Sequence, residues 1–238
     1  MHKNNWYIMS RDIKFRVLLI ICAVVGILIY SLVFAGQMPR WFPFMEKNAL
    51  NEWEEKIFKN RVLYSVKTED IDGYLTAYSD NSASGIFYRL RFDPKERPIV
   101  SWKWKVIKFP DKRAGTIAKN GWIEKDDYAA RFYVIFPGII FNLTKTLEYV
   151  WDKDLAEGTI LTSPYSKNIK IIVAESGEKN KGNWIYEERN IYEDFKKSFG
   201  KKPGRVGAIA IMTDTDNTGS TAEACYDGIK VGYKNDTE

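Results

Sequence analysis

The sequence predicts a mainly β chain: a single β-sandwich of about ten strands behind an N-terminal transmembrane helix, with one or two short helices besides. Three observations predict it. From Arg61 onward, short runs of alternating apolar and polar residues recur between turn-rich segments. Aromatic residues make up 15% of the chain, with eight Trp, fourteen Tyr and thirteen Phe, a load that suits a packed β core and argues against disorder. Residues 17–35, VLLIICAVVGILIYSLVFA, carry no charge. At about 1.5 Å per residue they nearly match the roughly 30 Å hydrocarbon layer of a bilayer.

Residues 1–16 read as a cytoplasmic leader and 17–35 as the anchor. Lys3, Arg11, Lys14 and Arg16 lie upstream of the span, so the positive-inside rule places everything after it outside the cytoplasm. Cleavage of a signal peptide near Ala35 is the competing reading, which would release the domain to the periplasm or the medium. Residues 36–60 read as a linker, with Trp41 and Phe42 at the headgroup level, followed by a juxtamembrane helix. Leu50, Trp53 and Ile57 supply the helical spacing.

Residues 61–238 read as the exported domain. The segments RVLYSVK, GYLTAYS and SGIFYRLRF are strands separated by TEDID and DNSA. In PIVSWKWKVIKF, Trp102, Trp104 and Val106 share one face; in DDYAARFYVIFPG, Tyr128, Ala130, Phe132, Val134 and Phe136 do. TLEYVWD, KIIVAES and NWIYEER continue the series. One helix follows in NIYEDFKKSFG, with Asn190 as its cap, Glu193 in the capping-box position and Gly200 as its stop. RVGAIAIM is apolar on both faces, the mark of a strand buried on both sides, and AEACYDGIKVGY closes the fold.

Several of these segments in order, among them SWKWKV, DDYAARFYVIF, LEYVWD, RNIYEDFKKSFG and IAIMTDTDNTGSTAEACYDGI, resemble the bacterial family called domain of unknown function 3047. The resemblance covers about residues 60–232 and implies no activity. The terminal Tyr226-Asp227-Gly228-Ile229 also resembles the last strand of galactose-binding-like jelly rolls found in carbohydrate-binding modules. That likeness implies a jelly-roll sandwich and, by analogy alone, sugar binding.

Composition narrows the chemistry. The net charge is +5, of which +3 precedes residue 17, so the exported part is nearly balanced and lacks the basic stripe that nucleic acid requires. The one histidine is His2, before the span. A Ser-His-Asp triad, a Cys-His pair and a His-ligated metal are therefore excluded from the exported part. Cys22 lies in the span, so no intrachain disulfide is expected in the exported part. A carboxylate-pair glycoside hydrolase survives, with Asp126, Asp127, Glu148, Asp152, Glu175, Asp214 and Asp216 as candidates.

Two further sites are read from residue type. Asp214-x-Asp216-x-Thr218-Gly219 imitates a calcium loop, but position twelve is Cys225, so an EF-hand fails. A looser calcium site would use Asp214, Asp216, Asn217 and Asp227; the alternative is a turn between strands. For a ligand, Trp102 and Trp104 are either a stacking platform or core. Arg131, mid-strand beside Tyr133, either faces solvent or meets a carboxylate such as Glu148 or Glu175, as a ligand contact in a polar groove or as a structural ion pair across strands; Trp151 beside Asp152 either rims such a groove or caps the core. The expected function is ligand binding by an anchored sandwich, a glycan or envelope polymer foremost. A two-acid hydrolase and a partner-binding envelope protein are the alternatives, and the oligomeric state is left open.

Overall fold

The computed structural model describes residues 39–69, 72–112, 126–138 and 143–234. The expected anchor and leader lie outside the described residues. Among the described residues no helix is long and apolar enough to cross a membrane. These residues form thirteen strands and one helix.

The strands fall into two sheets, as the alternating pattern requires. One runs β11 (Ile185–Asn190), β6 (Ile99–Lys108), β13 (Thr221–Tyr233), β4 (Asp72–Asp80) and β3 (Leu63–Glu69), with β1 (Arg40–Phe42) also paired to β13. The other has seven strands: β2 (Glu54–Lys59), β5 (Ala83–Phe92), β12 (Val206–Asp214), β7 (Ala130–Phe136), β8 (Lys145–Asp152), β10 (Ser166–Ser176) and β9 (Ile160–Ser163). All the pairings are antiparallel except that of β8 with β10. β12 lies between β5 and β7, and every residue of it but Gly207 is buried, as its apolar residues on both faces require.

The core lies between the sheets. Trp102 stacks on Phe132 at 4.3 Å between ring centroids and meets Trp104 edge-on at 5.3 Å. Trp104 reaches Trp151 at 6.2 Å. All of these side chains are fully buried, each withdrawing roughly 150–250 Å² from water. Cys225 is buried and forms no disulfide. Tyr226, on the inner face of β13, crosses the sandwich and donates to the Met212 carbonyl at 2.8 Å. The next residues need room to turn: Gly228 has φ +59° where the pairing of β13 with β6 shifts register. Only glycine adopts that conformation without strain.

Helix α1 (Ile191–Phe199) starts and stops where the sequence predicts. Asn190 accepts the Glu193 amide at 3.1 Å, and Gly200 takes the left-handed conformation. The capping box is half formed, because the Glu193 carboxylate holds Lys196 instead. Phe195 packs on Phe136 at 4.6 Å, so the helix covers one end of the core.

The N-terminal part of the domain corrects the expectation. Residues 46–52 are turns and Glu54–Lys59 is a strand paired to β5, so the juxtamembrane helix does not form. Phe42, expected at a headgroup level, is buried with Phe44 and Trp53; Trp53 lies 5.3 Å from Phe42 and 5.7 Å from Tyr88. The spacing of Leu50, Trp53 and Ile57 fits a helix, yet Trp53 gains more by joining this aromatic cluster than by lining a lone helix. The sandwich thus begins at Arg40 rather than Arg61, and the described residues hold one helix.

Candidate functional site

The strand alternation that sends Phe132 and Val134 inward turns Arg131 and Tyr133 to the opposite face of the seven-stranded sheet. There Arg131 is only 3% exposed. A charge so buried is costly unless it is paired. Arg131 is paired four ways. Its Nε donates to Asp214 Oδ1 at 2.7 Å and its Nη2 to Asp214 Oδ2. Nη1 donates to Glu148 Oε1 at 2.5 Å, and Nη2 also donates to the Asp126 carbonyl. The Tyr133 hydroxyl lies 3.3 Å from Glu148 Oε1. Burial works to lower the Arg131 pKa, but the fields of Asp214, Glu148 and Asp126 override it and hold the guanidinium charged.

Of the two carboxylates named for Arg131, the structure brings in Glu148 and leaves out Glu175. Glu175 follows a bulge in β10, bonds the adjacent Ser176 amide at 3.0 Å and adds its field to Glu187 on β11. Asp126 adds a third acid to the single guanidinium of the cluster. Its Oδ1 has no hydrogen-bond partner and stands 3.9 Å from Arg131. Burial pushes its pKa up to about 7, against the opposing pull of Arg131.

The acidic stretch after β12 is a turn over residues 216–219, held from outside. Asp127 accepts the Asn217 amide at 3.2 Å, the Asn217 side chain at 3.1 Å and the Thr218 amide at 2.6 Å. Asp127, Asp214 and Asp216 bring carboxylate oxygens within 4.8 Å of one another. In that cluster Asp214 already accepts from Arg131 and from the Tyr128 amide at 3.0 Å. The guanidinium thus supplies the positive charge that calcium would bring. Asp227 stands apart on the other sheet, facing Lys103 at 3.9 Å, so the four residues named for calcium do not form one set.

Trp102 and Trp104 present no surface to a ligand, because both lie wholly inside the sandwich. Trp151 borders a cleft, though not as an exposed rim, and Asp152 lies behind its lining. The cleft, of about 680 Å³, opens where β6, β8 and the loop between β10 and β11 end. Tyr128 and Trp151 form its floor, each almost wholly covered, and Phe109 stands on its wall 6.1 Å from Trp151. Lys108, Lys153, Lys181, Asp111 and Glu178 surround it. Lys112 lies on the Tyr128 ring, 3.8 Å from its centroid, and pairs with Asp152 at 2.7 Å. Asp152 also caps the Asp154 and Leu155 amides, both at 2.7 Å, so it shapes the loop of the cleft. The Tyr128 hydroxyl has no hydrogen-bond partner. Sequence reasoning missed Phe109 and Lys112; only their place at the end of a strand with a clear inner face pointed to them.

A two-sheet sandwich with this cleft and a buried guanidinium cluster defines the class of domain. The chain belongs to the family described as protein of unknown function DUF3047, whose model matches residues 51–230. No curated protein matches the sequence. Among solved structures, it is similar to the xyloglucanase domain of NopAA, a type three effector from Sinorhizobium fredii, at 10% identity and a TM-score of 0.45, over 76% of this chain and 91% of that one. It is similar to TmCBM27, a carbohydrate-binding module that recognises mannan, at 11% identity and a TM-score of 0.35, over 81% and 94%. The glycoside hydrolase domain structure of Endo-D from Streptococcus pneumoniae R6 matches at 10% identity and a TM-score of 0.38, over 77% of this chain. The chain spans 22% of that longer structure.

Proposed function

We propose that the domain is a non-catalytic module that binds a cell-envelope glycan in the cleft between Phe109 and the loop of the β10–β11 connection. One observation carries this reading: a concavity of about 680 Å³ sets the half-buried Phe109 ring among charged hydrogen-bonding groups. That volume lies within the roughly 300–1,000 Å³ usual for ligand sites. Sugar rings offer an apolar C–H face to aromatics and hydroxyls to such charged groups. Binding is favoured over hydrolysis because Asp126, Glu148 and Asp214 are each at most 3% exposed and serve Arg131.

Two finer readings belong with this proposal. The sandwich is of the galactose-binding-like jelly-roll kind, supported by the Tyr226-Asp227-Gly228-Ile229 stretch within the last strand. Residues 17–35 anchor the chain in the membrane with the N-terminus cytoplasmic, supported by their length and lack of charge. Mass measurement of the mature chain tests the anchor, and an end at Gly36 would refute it.

The cleft is tested by retention of the full-length chain on a panel of immobilised polysaccharides that includes peptidoglycan. Phe109→Ala combined with Lys181→Gln should weaken retention about tenfold or more, with the melting temperature little changed. Retention by no polymer, or retention untouched by that pair of substitutions, overturns the cleft as the site. New reducing ends in the polysaccharide would replace binding by hydrolysis.

A further inference from the structure

At the other end of β8 from the cleft, two lysines lie over one aromatic ring and two more stand close enough to act on the first of them. Lys145 opens β8, Lys170 lies on β10 beside Leu147, and Lys201 follows the stop of α1. Lys167 lies earlier on β10. Phe199, on the last turn of α1, is the ring: the Lys145 ammonium lies 4.4 Å from its centroid and that of Lys170 5.9 Å. Neutral acceptors orient both cations, Asn168 Oδ1 for Lys145 at 3.1 Å and Thr162 Oγ1 for Lys170 at 2.7 Å.

No acid among the described residues pairs with these lysines. Among the described residues, the lysines that pair with a carboxylate are Lys103, Lys112, Lys153 and Lys196, all elsewhere or turned away. Glu193 is taken by Lys196, and Asp194 by Arg189 and Tyr149. Burial, and then the fields of Lys201, Lys170 and Lys167, hold the Lys145 pKa below the usual lysine range. The folded chain therefore bears a local repulsion that an anionic ligand would relieve. Lys202 and Arg205, both exposed, extend the same segment. This concentration is notable because little net charge remains once the leader's +3 is set aside from the total of +5.

We propose that this end of the sandwich binds an acidic polysaccharide through Lys145, Lys167, Lys170 and Lys201. The ligand class is a chain of sugars bearing carboxylate or comparable acid groups. Several cations spread over three elements match a repeating charge better than a single small anion. The choice of a polysaccharide among polyanions rests on the glycan-binding reading above, and the patch is separate from the cleft.

Affinity electrophoresis of the full-length chain in a neutral detergent tests this, through gels carrying polygalacturonate or neutral dextran. The wild type should be retarded by polygalacturonate alone, and less so as salt rises. Lys145→Gln with Lys170→Gln and Lys201→Gln should weaken that interaction about tenfold or more. A control with the same loss of charge, Lys56→Gln with Lys67→Gln and Lys95→Gln, should leave it intact. Equal weakening by both triple variants, or no retardation of the wild type, overturns the proposal. So does binding to phosphatidylglycerol vesicles without binding to polygalacturonate, which would make the patch a lipid contact. The cleft variant separates the two readings. Polygalacturonate retardation lost in Phe109→Ala/Lys181→Gln and kept in the lysine triple sinks the patch and spares the cleft. The reverse outcome supports the patch and shows that this polymer does not use the cleft.

Discussion

Arg131 decides the character of the seven-stranded sheet's outer face. Its guanidinium is a planar fork that meets Asp214 with two nitrogens while a third reaches Glu148. Removing it leaves buried carboxylates facing one another without a counter-charge. Arg131→Met should therefore cost about 3–5 kcal/mol, the usual range for a broken buried pair. In a domain of this size that lowers the melting temperature by roughly 6–20 °C. Arg131→Lys should fall between the two, since an ammonium keeps the charge but cannot span Asp214 and Glu148 together. A melting temperature within about 2 °C of wild type for Arg131→Met would mean that the carboxylates are already neutral. The sequence foretold this residue's predicament, because a charge in the middle of a strand needs an acid or water. It also offered Glu148 as a partner. It did not foretell Asp214, since that contact depends on how β12 lies beside β7, a pairing between segments about eighty residues apart. By the same geometry, calcium should bring no shift in melting temperature, because Arg131 and the Tyr128 amide already occupy Asp214. A shift abolished by Asp127→Asn would instead show a cation in the acidic turn.

At the scale of elements, what the sequence revealed and what it hid have a common physical cause. Strands with one inner face were legible because burial imposes a period of two: Trp102, Trp104 and Val106 on β6, Phe132, Val134 and Phe136 on β7. The helix was legible from local capping, with Asn190 and Gly200 doing what those residues do at helix ends. β2 was not legible, since every residue of Glu54–Lys59 is exposed and no alternation marks it. β1 is too short to carry a period, and pairs with β13 in a register only the folded chain specifies. These two strands bring in Phe42, Phe44 and Trp53, which bury a corner of the core. A chain beginning at Arg61 should thus be strongly destabilised or insoluble, whereas one beginning at Pro39 should melt as a single cooperative unit. Equal melting temperatures for the two chains would show that β1 and β2 are ornaments of the sandwich.

For the whole molecule, two buried acids on different strands and loops make stability depend on pH in one direction. Burial, followed by the field of Glu175, pushes Glu187 up to about 8 from 4.5, with Arg189 opposing and Glu157 adding to the rise. Asp126 is pushed up to about 7 from 3.8 by burial, against Arg131. In each case the folded state binds the proton more tightly than the unfolded state. The contribution to stability is therefore full below the unfolded pKa and is lost as pH rises through the folded one. For the pair that window runs from about pH 4 to pH 8. The melting temperature should fall from about pH 5 to pH 9, with a loss on the order of 2–5 kcal/mol. Glu187→Gln keeps the neutral shape without the ionisation, so it should match wild type near pH 5 and exceed it above pH 8. Asp126→Asn should remove Asp126's share of the slope, which lies below about pH 7 and overlaps that of Glu187, and the double variant should keep only the shallower slope of the other raised acids, Asp214 foremost. Thermal unfolding across this range, followed by tryptophan fluorescence, measures all four proteins. A wild type whose melting temperature climbs with pH, or a double variant that keeps the full slope, would assign the titration to other groups and leave the buried acids ionised in the folded chain.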